Sequence, residues 1–322
     1  MKTWIKNNRQ TLLRLLGTLL GFGLLMVLVA QQGWEEILIA LRQVSAWDLL
    51  LAFGLTLLSR LCLVGRWHVL LRSGGVPIPL RYSAGLTFTG LFAANFLPTT
   101  IGGDLLRMAG AMQMGYNRAV CLASIAADRL VGMAGMLMVL PFGLVPLART
   151  LLGAQLVLRY TRGQAGALPI LSAIAGPVPG SDEGTTLWAR GKGFLKRTLD
   201  ALRVWLRKPT ALAAALGFTF GHMLCTFLAL SILLGAMGEQ VPFTLIAGLW
   251  SVAYFVTLIP VSINGYGVQE LSLVWLFANV AGVTLTDSLL LALLIRLLQM
   301  AASLPGAFTL PSVLAAMDRS QS

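Results

Sequence analysis

Apolar residues run through most of this chain in blocks longer than a soluble helix needs, and polar residues gather in short patches between them. A bilayer-crossing helix needs about 20 apolar residues in a row. Runs near that length cover Leu15–Ala30, Leu49–Leu71, Ala119–Leu147, Ala211–Met237 and Ser288–Leu310. One more crossing must fall within 151–180, where Leu151–Leu158 and Ala165–Ala175 are short, interrupted candidates. Two further runs, Tyr82–Asn95 and Val241–Leu258, are short and end in polar breaks. The first break is Asn95-Phe96-Leu97-Pro98-Thr99-Thr100-Ile101-Gly102-Gly103-Asp104-Leu105-Leu106-Arg107, and the second is Ile259 to Glu270. Backbone at membrane depth unwinds only where protein or a watery cavity satisfies its polar groups. Each break is followed by a second short apolar segment, toward Gly115 and over Leu271–Val280, so each pair predicts a re-entrant helical hairpin.

The expected architecture is an all-α polytopic membrane protein with about six full spans and two re-entrant hairpins. Lys2, Lys6, Arg9 and Arg14 precede the first run, which predicts a retained span with a cytoplasmic N-terminus rather than a cleaved signal peptide. Gln31–Asp48 reads as a short helix in the outer interface, with Trp34, Ile37, Leu38, Leu41 and Val44 on one side, or as an ordinary connector. Lys192–Lys208 reads as a basic amphipathic helix resting on the cytoplasmic surface.

The breaks resemble each other. Phe96–Gly103 lies over Leu258–Gly265 at an offset of 260 − 98 = 162, with Pro, Ile and the last Gly identical. A second block, Gly54–Cys62, lies over Gly217–Cys225 at 225 − 62 = 163. The chain is therefore expected to form one membrane domain, 1–322, whose halves (about 1–147 and 148–310) are repeats. Three spans per half would leave the halves inverted, with the hairpins entering from opposite faces. Inverted repeats with broken helices meeting near the midplane mark transporter sites. Half-helix N-termini there would suit a phosphate, with Asp104 and Glu270 complementing those ends or accepting from a substrate amine.

Composition supports the membrane reading and limits the others. The 322 residues are 57% hydrophobic and 11% charged, with mean hydropathy +0.80. The net charge of +12 follows from basic residues beside apolar runs, as in loops facing anionic lipid, so nucleic acid is not an expected partner. Cys62, Cys121, Cys225, His68 and His222 are scattered, with neither disulfide framework nor metal spacing, so no metal or other cofactor is expected.

Charges inside the runs carry the chemistry. Arg60 lies mid-run, where an unpaired charge is costly, which points to a partner or a functional role. Arg66 lies toward a cytoplasmic end and can snorkel to the headgroups. Asp128 and Arg129 point in different directions on a helix, so they either have partners on other elements or sit together at headgroup level. Arg296 is embedded in the last run.

Arg66-Trp67, Asn95-Phe96-Leu97-Pro98 with Gly102-Gly103-Asp104 and Arg107, Asp128-Arg129, Pro260–Gly267 with Glu270, and Ser303-Leu304-Pro305-Gly306 together resemble the flippase-like domain family. This is the membrane domain found in lysylphosphatidylglycerol synthases and in many stand-alone proteins. The resemblance runs from about Gly33 to Leu310. It implies an inner-membrane protein that moves a polar-headed lipid between leaflets: anionic, aminoacylated or polyprenyl-phosphate-linked. No segment resembles the soluble aminoacyl-transferase domain of some relatives, so lipid aminoacylation is not expected. Where relatives carry Gly-Val-Arg-Glu, this chain has Gly267-Val268-Gln269-Glu270, which removes a charge.

The expected translocation path comprises Arg60, Asn95, Thr100, Gly102, Gly103, Asp104, Arg107, Asp128, Arg129, Ser262, Asn264, Gly265, Gly267, Gln269, Glu270 and Arg296, with the glycines supplying unwound turns. No G-x-x-x-x-G-K-[ST] motif is present, so net transport would use gradients or mass action. The second expectation is a membrane enzyme acting on a lipid headgroup, with Asp104, Asp128 and Glu270 as acid or base, although no nucleophile–base constellation accompanies them. A third is a non-transporting partner of a lipid-modifying enzyme. Besides membrane lipids, that enzyme or a second copy of the chain are the partners left open.

Overall fold

The computed structural model describes residues 34–95, 102–161, 208–259 and 265–311, with scattered positions between 19 and 31. Most of the first expected span, the centres of both breaks (96–101 and 260–264) and all of the amphipathic segment 192–208 except Lys208 lie outside the described residues. The described residues contain helices and no strands. In order they are α1 (Trp34–Gln43), α2 (Ala46–Ser73), α3 (Leu80–Ala94), α4 (Gly102–Gln113), α5 (Arg118–Val139), α6 (Pro141–Thr161), α7 (Pro209–Ala236), α8 (Phe243–Thr257), α9 (Val268–Asn279), α10 (Leu285–Ala301) and α11 (Pro305–Pro311).

Local chemistry sets these boundaries. Ser45 accepts from the Asp48 amide to start α2, Asn117 from Ala119 and Val120 to start α5, and Thr284 from Asp287 to start α10. Pro209 occupies the first position of α7, where its missing N–H is harmless. The run expected to cross as 119–147 ends earlier, at Val139. Pro141 cannot extend the hydrogen-bond ladder and opens α6 instead. Pro305 does the same in the last run, so the expected span 288–310 is two helices bent by 42°.

Among the described residues three helices, α2, α5 and α7, are long and apolar enough to cross a membrane, or four if α10 and α11 count as one span. The burial pattern agrees with a lipid surround. Trp47, Leu122, Leu137, Met138 and Leu297 are each more than half exposed, while Arg66, Arg107, Asp128 and Glu270 are buried. In water that distribution would be inverted. The chain is an integral membrane protein. In α1, Ile37 and Ala40 are buried in the core, as is Val44 just beyond it, and the helix packs on α10.

α2 and α7 form the central pair and run antiparallel. Ser59 meets His222 and Thr226, Arg66 meets Thr219, and Ser73 meets Lys208. Two pairs of short helices, α3/α4 and α8/α9, flank them, each folded back on itself. At the α3/α4 crossing, a Cβ on Gly90 would lie 2.7 Å from the Gly103 carbonyl oxygen.

The helices after the prolines reach across the molecule. α6 lies against α8, where a Cβ on Gly248 would come within 2.6 Å of Gly143 Cα. α11 lies against α3, with Gly306 on the Phe88 carbonyl and Thr309 Oγ1 2.6 Å from Thr89 Oγ1. Both contacts depend on missing side chains. Gly248→Ala is therefore expected to lower stability by about 1–3 kcal/mol through overpacking, read as a lower melting temperature in detergent. Gly217→Ala meets open space in a helix interior and should hold or raise it by the usual helix-propensity gain. Equal melting temperatures for the two variants would contradict this packing.

Candidate functional site

The charges embedded in the apolar runs converge between the hairpins and the central pair. Asp104 is the third residue of α4, where the partial positive charge of the helix start favours a carboxylate. Its Oδ2 accepts from Arg129 at 2.6 Å, and its Oδ1 from Arg107 at 3.1 Å. Asp128, from α5, accepts from Arg66 Nε at 2.7 Å and from Arg107 Nη1 at 3.4 Å. The guanidinium of Arg107 also lies over the Trp67 ring, 4.3 Å from its centroid. Three arginines and two aspartates thus form one continuous ionic chain across α2, α4 and α5. Asp128 and Arg129 do have partners on other elements: Asp128 on α2 and α4, Arg129 on α4.

Arg66 corrects the snorkelling expectation. It is buried at 7% exposure and bound to Asp128. Its position near the end of a helix allowed a headgroup contact, but a carboxylate in the interior compensates its charge more completely than a distant lipid phosphate.

The second hairpin carries a similar device. Gly265 (φ +73°) and Gly267 (φ +77°) are left-handed, as the turn into α9 requires of residues without a Cβ. Glu270, the third residue of α9, accepts from the Gly267 amide at 2.8 Å through Oε2 and from Arg296 Nε through Oε1. Arg296 also donates to Gln269 Oε1 at 3.1 Å and lies over the Tyr266 ring. Asp104 and Glu270 both hold the third position of a short helix, and Arg129 and Arg296 both hold the twelfth position of the helix that follows. The same carboxylate–arginine pair is therefore built twice.

The hairpins touch. The Tyr266 hydroxyl donates to the Asn95 carbonyl at 3.0 Å, and Asn95 Nδ2 donates to Ser303 Oγ at 2.9 Å. Between them lies a cavity of about 350 Å³ whose walls include Arg60, Asn95, Gly103, Asp104, Arg107, Arg129, Gly265, Gln269 and Arg296. An adjoining space of about 320 Å³ reaches Arg66 and Asp128. Apolar wall is supplied by Leu91, Met136, Trp250 and Met300.

Arg60 lines both spaces, but among the described residues no carboxylate comes within ion-pairing distance, and its buried Nε has no hydrogen-bond partner. The ion pair considered for it is absent there. Gly102 and Gly103 were expected to unwind the chain; they form the first turn of α4, and Gly103 serves the close approach to Gly90 instead. Thr100, Ser262 and Asn264 lie outside the described residues.

Several wall residues carried no sequence signal of their own. His222 bonds Ser59 Oγ through Nδ1 at 2.6 Å, and Tyr254 and Gln299 complete the lining. A usable signal did exist for the paired ions: carboxylate and arginine are 25 residues apart in one half and 26 in the other.

Removing Asp128 would leave Arg66 buried with unpaired charge and strip Arg107 of one of its two carboxylates. Asp128→Ala is expected to cost about 3–5 kcal/mol, seen as a large drop in melting temperature or a loss of folded protein. The double change Arg66→Met with Asp128→Leu should recover part of that stability. A single variant that melts like the parent would show that Asp128 carries no such load.

No curated protein matches the chain. The family described as the lysylphosphatidylglycerol synthase TM region matches residues 14–306, a stretch that contains the whole ionic chain, both hairpins and the cavity between them. By that match the chain belongs to the lysylphosphatidylglycerol synthase transmembrane-region family, and its role is membrane-lipid-related.

Proposed function

We propose that this protein moves a polar-headed lipid between the leaflets of the cytoplasmic membrane, the headgroup passing through the cavity between the two hairpins while the acyl tails stay in lipid. One observation carries the reading: a cavity lined by ionic side chains lies where two broken helices meet, inside a protein whose outer surface is apolar. Ionisable groups held at membrane depth are expensive, and they mark substrate paths.

An inverted repeat supports the same reading. α2 and α7 are both 28 residues long, α3 and α8 both 15, and α4 and α9 both 12. The equivalent helices α2 and α7 run antiparallel, as halves of opposite orientation require. Each half also sends its last helix onto the other half's hairpin. In this proposal both termini are cytoplasmic, six crossings complete the fold, and rocking of the halves about the hairpins opens the cavity alternately to each face. The chain performs no covalent chemistry of its own, and the lipid is its partner.

Reconstituted into liposomes with a dye-labelled anionic phospholipid, the full chain should accelerate leaflet exchange well above protein-free vesicles. Glu270→Gln should slow it at least tenfold, because the Arg296 guanidinium loses its anchor while the helix start keeps a hydrogen-bonding side chain. Exchange no faster than in empty vesicles would overturn the transport reading, and altered headgroup chemistry in the same vesicles would favour an enzyme.

A further inference from the structure

The charges around the cavity do not balance. Arg66, Arg107 and Arg129 share Asp104 and Asp128, leaving one positive charge over. Arg296 and Glu270 neutralise each other. Arg60, which lines the same cavity as Arg296, adds a second uncompensated charge. Among the described residues, then, the site carries an excess of two positive charges, and each of its three carboxylates is already bound to an arginine. The remaining described acidic side chains, Glu35, Asp48, Glu239 and Asp287, line neither space.

From this imbalance we infer that the site takes a headgroup bearing a doubly charged phosphate, a phosphomonoester or pyrophosphate, held between Arg60 and the ionic chain. This rests on the reading that the cavity receives a lipid headgroup, and it names the class. A dianion brings the cavity to neutrality, which a buried site in lipid demands. Arg60 supplies the unused donors; a guanidinium matches phosphate oxygens in a two-pronged geometry. A cationic aminoacyl lipid fits poorly. Its ammonium group finds no free carboxylate and meets Arg60 and Arg296 instead. Gln269 places a neutral amide beside Arg296 and adds no charge, so the excess stays at two.

The test is titration of the detergent-purified full chain with dioctanoyl phosphatidic acid, dioctanoyl phosphatidylglycerol and lysyl-phosphatidylglycerol at pH 8. The expected order is phosphatidic acid at least tenfold tighter than phosphatidylglycerol, with the lysyl lipid weakest. The preference should shrink at pH 5.5, because a phosphomonoester gives up its second charge as pH falls through about 6. Arg60→Gln should reduce the preference to less than threefold, and Arg60→Lys should retain most of it. Lysyl lipid binding as tightly as phosphatidic acid would overturn the inference, as would an undiminished preference in Arg60→Gln. Should that variant aggregate, a preference that ignores pH in the parent overturns it equally.

Inorganic phosphate, added as a competitor, separates the sources: displacement only at far higher concentration assigns the site to lipid, and equal affinity assigns it to free phosphate. Both of those results support a dianion site. Dianion preference without leaflet exchange would remove the transport reading and leave this one standing. Leaflet exchange of the lysyl lipid as fast as that of phosphatidic acid would remove this one alone.

Discussion

Eight ionised side chains cannot be held among lipid-facing helices unless nearly every one of them answers another, and that requirement shapes this protein more than any apolar contact. Arg66, Asp128, Arg107, Asp104 and Arg129 satisfy one another in sequence. To do so they fix α2, α4 and α5 at set separations, since a guanidinium–carboxylate pair works only within a narrow range of distance and angle. Arg296 and Glu270 tie α9 to α10 in the same way. The apolar core can tolerate single substitutions of similar volume; in the ionic chain, truncating one member of a pair leaves its partner's charge uncompensated. The ionic chain sets the spacing of the elements, and the leucines fill what is left.

The two halves solve this problem unequally. Both carry the carboxylate at the start of the second short helix and the arginine one helix later. Only the first half adds Arg60, Arg66, Arg107 and Asp128. The large core of fully buried apolar residues lies on the other side, around Leu230, Leu233, Leu249, Phe277, Leu289 and Leu291. The second half therefore supplies most of the large apolar core and the first half most of the ionic groups, while both line the cavity.

Much of this was legible from the sequence. A continuous apolar run defines its own limits, and Leu49–Leu71 falls within the helix Ala46–Ser73. Charges inside such runs announce themselves because hydrocarbon tolerates so few, which is why Asp104, Arg107, Asp128, Arg129, Glu270 and Arg296 were visible. Partners were not. Arg66 lies 62 residues from Asp128, and its distance from the end of the run said nothing about the carboxylate beside it. The register between the two hairpins was also hidden in part. Matching prolines gave an offset of 162, whereas the helices after the breaks are displaced by 166 (268 − 102), because a turn changes length without changing what it joins. His222 and Tyr254 enter the lining through the packing of long helices, and no local pattern marks them.

The crossing of α6 onto α8 and of α11 onto α3 also bears on how the protein comes into being. A ribosome delivers α3 early, but the glycine that closes against its backbone, Gly306, emerges more than 200 residues later (306 − 88 = 218). Until then the first hairpin waits in the membrane with one flank uncovered and its carboxylates already chosen. The second hairpin has no such wait, because Gly143 is in place before Gly248 is made. Biogenesis is thus asymmetric between the two hairpins: the later one docks onto a surface already made, and the earlier one is completed only by a helix that arrives after the later hairpin.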